Sequence, residues 1–345
     1  MMKLLIITQK VNRKDSTLGF FCRWIEEISK KFEKTTVICL EKGEHQLSPD
    51  IKILSLGKEE GKSRLKYIIN FYKYIWRERK NYDAVFVHMN QEYLLLGGWL
   101  WQIWGKKVFM WRNHYAGSFL TYVAGLFCKE VFYTSKFSYT AKFKNAVMMP
   151  VGIDESSLMA DTQIERISKS ILFLGRLDSS KKPEILLKAL NIVSNKGLNF
   201  SVSFVGGPSD PNSKYPEELA DLAKTLNIQD KVVFVGSVPN TETFRFYRSH
   251  EIFVNCSRSG MFDKTILKAC ASGCLVLATS KDFESLVGPE FSFSDDDYNK
   301  LADKLIEFLS MDLSEKEKLV IKLQSIIKNH SLPILVEKLM EHIRR

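Results

Sequence analysis

At 345 residues the chain exceeds what one hydrophobic core usually organises, so two domains of roughly 150 residues each are expected. An apolar fraction of 45% beside 26% charged residues excludes a disordered chain. The net charge of +10 sits wholly at the front: residues 1–155 carry 25 Lys plus Arg against 15 Asp plus Glu, whereas the remainder carries 25 of each.

Short β-rich runs alternate with longer helical stretches from the start: KLLIIT, TTVICL, IKILSL, DAVFVH, KVFMW, EVFYT and AVMMP, separated by segments such as GFFCRWIEEISKKF and SRLKYIINFYKYIWRERK. The runs are nearly continuous in apolar residues, as expected of parallel strands covered by helices on both faces. The pattern pauses over the polar stretch around 151–168, then resumes with ILFLGRL, FSVSFVGG, KVVFVG, EIFVNCS and CLVLATS. Two successive α/β units follow: an N-terminal domain over 1–155, a second over 169–330, and a helical tail from about residue 296 that Pro333 interrupts to leave a C-terminal helix over 331–345. Open parallel sheets bind ligands beyond their strand C-termini, so the site belongs at those ends, in a cleft faced by both domains.

KLLIIT is too short for the apolar region of a signal peptide. The most apolar run, YLLLGGWLWQIW at 93–104, falls far below the roughly 20 residues that span a bilayer. The six cysteines show no zinc-like spacing and need no disulfide framework, which fits a reducing, cytoplasmic setting. The basic front half suits an anionic membrane surface or phosphate-bearing substrates, or is a solvated lysine-rich surface; no nucleic-acid motif accompanies it.

Several strand ends carry polar groups. Gly175 and Arg176 follow ILFL directly, with Lys181 and Lys182 at the start of the next helix, where a guanidinium, an ammonium and helix amides converge on one anion. Exposed turn lysines, with Arg176 paired to an acid, are the alternative. Gly236 ends KVVFVG, either for close approach of a ligand or for a tight turn. After IFVNC comes SRSGMF, then Asp263 as N-cap and KTILKACASG as a helix ended by Gly273. Ile266, Leu267, Cys270 and Ala271 form its buried stripe, with Lys264 and Lys268 on another face.

Across LFLGRL with its lysine, VSFVGG, VVFVGSV and IFVNCSRSGMFDKTILKACASGCLVLATS, and more weakly MPVGID and WRNHYAG, the sequence resembles a family 4 glycosyltransferase of the retaining GT-B type, from about residue 1 to 310. The resemblance implies an α/β fold of two Rossmann-like domains facing a cleft, and a nucleoside-diphosphate sugar as substrate with no metal. It assigns Arg176 and Lys181 to the diphosphate, His114 to the face of the transferred sugar, and Gly19, between first strand and first helix, to the backbone beside the diphosphate. Gly175, Gly236, Gly260 and the amides of Met261, Phe262 and Asp263 complete the donor side. His88 and Asn90, at another strand end, are acceptor candidates by position. A glycan or lipid-linked acceptor is implied, at or near the inner membrane face.

One departure stands out. Where the family shows two glutamates eight apart, this chain reads Gly260 and Lys268. Lys268 meets an added anion, turns to solvent along its apolar stem, or marks a chain that has lost catalysis and serves as a sugar-nucleotide-binding or partner module.

Overall fold

The computed structural model describes residues 2–155, 163–260 and 262–345. They form two compact units: Met1–Gly152 with Pro239–Thr241 and Leu332–Arg345, and Ile153–Val238 with Glu242–Ser331.

The first unit runs β1 (Lys3–Val11), α1 (Phe20–Ser29), β2 (Lys34–Lys42), β3 (Lys52–Ser55), α2 (Arg64–Glu78), β4 (Ala84–His88), α3 (Glu92–Ile103), β5 (Lys107–Trp111), α4 (Phe119–Leu126), β6 (Glu130–Tyr133) and β7 (Ala146–Met148). Its seven strands lie in the order β3-β2-β1-β4-β5-β6-β7, with every pairing parallel. Alternate residues leave opposite faces of each strand. Leu4, Ile6, Phe86 and Phe109 therefore join α1 in one core, while Leu5, Ile7, Val85, Val87 and Met110 join α2, α3 and α4 in the other.

The second unit runs β8 (Ile167–Leu174), α5 (Pro183–Asn195), β9 (Ser201–Val205), α6 (Tyr215–Thr225), β10 (Val232–Gly236), α7 (Thr243–Ser249), β11 (His250–Asn255), α8 (Lys264–Ala271), β12 (Leu275–Ala278), α9 (Lys281–Val287), α10 (Tyr298–Ser310) and α11 (Leu313–Ser325). Its strands order as β10-β9-β8-β11-β12, again all parallel. In both sheets the order reverses beside the first strand of the unit, the geometry that opens a binding crevice at strand C-termini.

The tail departs from a simple broken helix. A short 3₁₀ turn at Ile326–His330 ends the run, and Pro333 sits in the first turn of α12 (Leu332–Arg344), where its missing N–H costs nothing. Leu332, Leu335, Val336, Leu339, Met340 and Ile343 of α12 then fill the core of the first unit beside Trp24. The Trp24 indole donates to the Gly152 carbonyl at 3.1 Å. Gly152 has φ +73, and a Cβ there would lie 2.3 Å from Leu335 and 2.7 Å from Trp24. Only glycine fits that turn. All six cysteines are buried free thiols, and burial pushes Cys22 up to about 11. Among the described residues no helix is long and apolar enough to cross a membrane.

Candidate functional site

In the second unit, three glycines lace the strand ends. The Gly206 N–H donates to the Gly236 carbonyl at 2.8 Å, and a Cβ on Gly206, at φ +140, would lie 1.8 Å from the Gly175 carbonyl oxygen. Gly236 itself has φ +84 with open space around it, so its role is the turn.

Arg176 leaves this rim half-exposed. Its guanidinium donates to Ser209 Oγ at 3.1 Å and Ser180 Oγ at 3.3 Å and lies 3.4 Å from Asp178 Oδ2. Both serines also donate to Asp178, and these bonds, with the Arg176 charge, hold its carboxyl below the usual range against the effect of burial. Arg176 is thus oriented by an acid yet still reachable from solvent.

Lys181 and Asp263 meet directly. Lys181 Nζ donates to Asp263 Oδ2, and both side chains are mostly buried. The Asp263 Oδ1 accepts from the Thr265 N–H at 3.2 Å, which makes Asp263 the N-cap of α8. Asn255, at the end of β11, adds an Nδ2–H bond to Oδ2 at 3.3 Å. Burial would raise this carboxyl, but the Lys181 charge and these bonds bring it down to about 2. Asp263 is therefore committed to holding Lys181 and starting α8. Lys182, the neighbouring lysine, pairs instead with Asp296 Oδ1 at 2.6 Å.

The loop before α8 is pinned by Thr279, whose hydroxyl donates to the Ser257 carbonyl at 2.6 Å. Gly260 is buried with φ +105, a backbone region that side-chain-bearing residues rarely adopt. Its glycine is thus a backbone requirement of this loop. The Phe262 ring is buried edge-on to His330 at 5.7 Å; Met261 lies outside the described residues. Within α8 the buried residues are Ile266, Leu267, Ala269 and Cys270, so Ala269 rather than Ala271 completes the stripe.

Lys268 does not turn freely to solvent. It is part-buried, and desolvation pulls its ammonium down to about 8, while Asp154 and Asp263 draw it the other way. Burial and the Lys268 charge hold Lys264 well below the ordinary lysine range.

The first unit carries its own site features. Gly19 stands at the start of α1, and a Cβ there would lie 2.5 Å from the Asp15 carbonyl. At the ends of β4 and β5 a cavity of about 440 Å³ is lined by Met89, Gln91, Arg112, His114, Ser118 and Thr121, among others. His114 Nδ1 lies 2.9 Å from the Ala116 N–H, which it accepts, and 3.3 Å from the Ala116 carbonyl oxygen. Asn113 Oδ1 accepts from the Thr134 and Ser135 amides at 3.1 and 2.9 Å, and the Arg112 carbonyl accepts from Thr140 at 2.7 Å. These bonds fix the loop that presents His114.

His88 ends β4 and Asn90 follows it two residues later, at the strand end. His88 is 2% exposed, stacked on Phe21 at 3.8 Å and 3.3 Å from Thr8 Oγ1, so it belongs to the core. Met89, at φ +70, turns the chain, and Met89 and Gln91 rather than Asn90 line the cavity. The residue that sequence reasoning passed over is Arg112, two positions before His114. Its guanidinium reaches the Met89 and Ala116 carbonyls only at 3.3 Å each. Arg112 Nε and Gln91 Oε1 are buried with no hydrogen-bond partner among the described residues. Burial lowers the Arg112 pKa from its ordinary value, opposed by Glu92. An arginine ending an otherwise apolar strand was the available signal.

Residues 168–311 match the family model described as glycosyl transferases group 1. Over that segment the chain is similar to that family. Over 112 residues it is 34% identical to the D-inositol 3-phosphate glycosyltransferase of Acidothermus cellulolyticus, a match covering 31% of this chain and 25% of that protein. Over 153 residues it is 28% identical to the mannosylfructose-phosphate synthase of Agrobacterium fabrum, covering 41% and 34%. The matches thus span about a quarter to a third of these curated relatives. The whole fold is similar to Anabaena Alr3699/HepE solved with UDP, with a TM-score of 0.80 at 15% identity, covering 99% of this chain and 100% of that one. It is also similar to WaaG, described as a glycosyltransferase involved in lipopolysaccharide biosynthesis, with a TM-score of 0.70 at 13% identity over 99% of both chains. At these identities the likeness shows the GT-B fold. Among the described residues no three His, Cys, Asp or Glu side chains group to hold a metal ion.

Proposed function

We propose that this chain is a group 1 glycosyl transferase that moves a hexosyl group from a nucleoside-diphosphate sugar to a hydroxyl of a glycan or lipid-linked acceptor, with retention and without a metal, in cell-envelope polysaccharide or glycolipid synthesis on the cytoplasmic side. The observation that carries the reading is Arg176: a half-exposed guanidinium, oriented by Asp178, at the C-terminal end of a parallel strand. A diphosphate there meets a bidentate cation. Bond cleavage at the anomeric carbon leaves negative charge on the diphosphate. Arg176, with Lys181 shared from Asp263, would offset that charge as it develops. The acceptor hydroxyl proton would pass to the departing diphosphate oxygen. The similarity to a fold solved with UDP, and to one serving lipopolysaccharide synthesis, supports the substrate class and the envelope role.

Gly260 and Lys268, with Asp263 engaged by Lys181, favour a second reading, a donor-binding module without turnover. Incubation of the full chain with UDP- and GDP-hexoses and a panel of glycan and lipid-linked acceptors, in EDTA, decides between them. Released nucleoside diphosphate with an α-linked product from an α-linked donor supports the transferase. Donor binding without turnover on any acceptor supports the module.

A further inference from the structure

Helix α2 carries apolar residues on both of its sides. Phe71 and Ile75 enter the core, and two polar residues go in with them: Asn70 Nδ2 donates to the Leu56 carbonyl at 3.0 Å, and Glu78 accepts from Lys52 at 2.7 Å and Asn81 at 3.0 Å. Leu65, Ile69 and Trp76, spaced four and seven apart, point outward, with Leu65 67% and Trp76 56% exposed. Exposed Lys66, Lys73, Arg77 and Lys80 flank that stripe.

The next two helices also turn apolar residues outward. Trp99 and Ile103 on α3 are exposed, as are Phe119, Tyr122 and Leu126 on α4, at i, i+4 and at i, i+3, i+7 spacings. The three helices form one layer over one face of the sheet. Trp76 meets Trp104 edge-on at 5.7 Å, and the missing side chain of Gly98 makes room for Phe127. The stripes therefore belong to one outer surface.

Charge points the same way. Residues 62–144 carry 14 Lys plus Arg against 4 Asp plus Glu, an excess equal to the net +10 of the whole chain. A second copy would bring this basic face against itself, at a repulsive cost. Apolar stripes spread across three helices, with cations beside that of α2, match a fluid anionic interface into which Trp, Phe and Leu insert.

We propose that the outer face of α2, α3 and α4 seats the first unit on an anionic lipid bilayer. The docking needs none of the groups assigned to the donor, so it stands or falls separately from the transferase reading.

The test is co-sedimentation of the full chain with vesicles of phosphatidylcholine alone and of phosphatidylcholine with phosphatidylglycerol. The wild type should pellet with the anionic vesicles, remain in solution with the zwitterionic ones, and be released by salt well above the physiological range. The Leu65→Glu, Ile69→Glu, Trp76→Glu triple variant and the Lys66→Gln, Lys73→Gln, Arg77→Gln triple variant should each bind at least about tenfold more weakly. All six positions are exposed, so unchanged thermal melts and UDP affinity would show that fold and donor site are intact. Failure of the wild type to pellet with anionic vesicles would overturn the proposal. So would undiminished binding by either variant. Self-association of the lipid-free chain that the apolar variant abolishes would assign the face to a second copy, and saturable capture of an acidic peptide in place of vesicles would assign it to a protein; both outcomes also overturn it.

Discussion

Asp263→Asn removes one charge and little else. Asparagine caps a helix about as well as aspartate, so α8 keeps its start. The loss is the charge that Lys181 faces. In the folded chain the Asp263 carboxyl lies at about 2 against an ordinary 3.8, and at about 1.36 kcal/mol per unit this is worth about 2 kcal/mol. Both side chains keep some exposure, 12% for Lys181 and 17% for Asp263, consistent with a value below the 3–5 kcal/mol typical of breaking a fully buried pair. Because the folded value is depressed, this stability is fully present above the unfolded pKa near 4 and is lost as pH falls towards 2. The variant should melt about 4–8 °C below wild type at pH 7, by the scaling for a unit of this size. The gap should narrow to about half by pH 3. In a Lys181→Met background the same substitution should cost far less. Calorimetric melts of the four chains across pH give these numbers. A gap that is absent at pH 7, or that stays constant to pH 3, or an unchanged cost in the Lys181→Met background, would refute the pairing.

Gly206→Ala should destabilise by about 3 kcal/mol or more, since its Cβ would stand 1.8 Å from the Gly175 carbonyl at φ +140; denaturant titration measures it. Gly260→Glu, which restores a family-like carboxylate, should lower stability by about 1–3 kcal/mol through its φ of +105 without tightening UDP binding, as melts and calorimetric titration would show. We propose that the cavity lined by Arg112 holds the acceptor, so Arg112→Met should lower acceptor-dependent kcat/KM by about 10- to 100-fold, the worth of one charge-assisted hydrogen bond, while UDP affinity stays unchanged. Steady-state kinetics with varied acceptor separates these two readouts.

Much of the fold was legible in the sequence because strands buried on both faces read as unbroken apolar runs, and KLLIIT through CLVLATS all became strands. The N-cap at Asp263 was legible for a local reason: a short acceptor followed by a periodic apolar stripe. Its ion pair was not, because Lys181 lies 82 residues away. Periodicity tells that a helix has a stripe but not which way the stripe points, so the inward turn of Asn70 and Glu78 on α2 could not be foreseen. Nor could the amphipathic pattern of α12 name its partner, the first-unit core around Trp24. His88 shows the same limit at a strand end: position suggested an exposed group, whereas stacking on Phe21 encloses it. Arg112 stood within the motif WRNH but drew no notice beside His114.

The central claim, that Arg176 marks a diphosphate site in the second unit, is tested most directly by calorimetric titration of UDP and GDP into wild type and Arg176→Ala, with and without EDTA. The account predicts binding of one nucleotide that the chelator leaves unchanged and that Arg176→Ala weakens by about tenfold or more. No binding of either nucleotide at millimolar concentration, or equal binding by the variant, would contradict it.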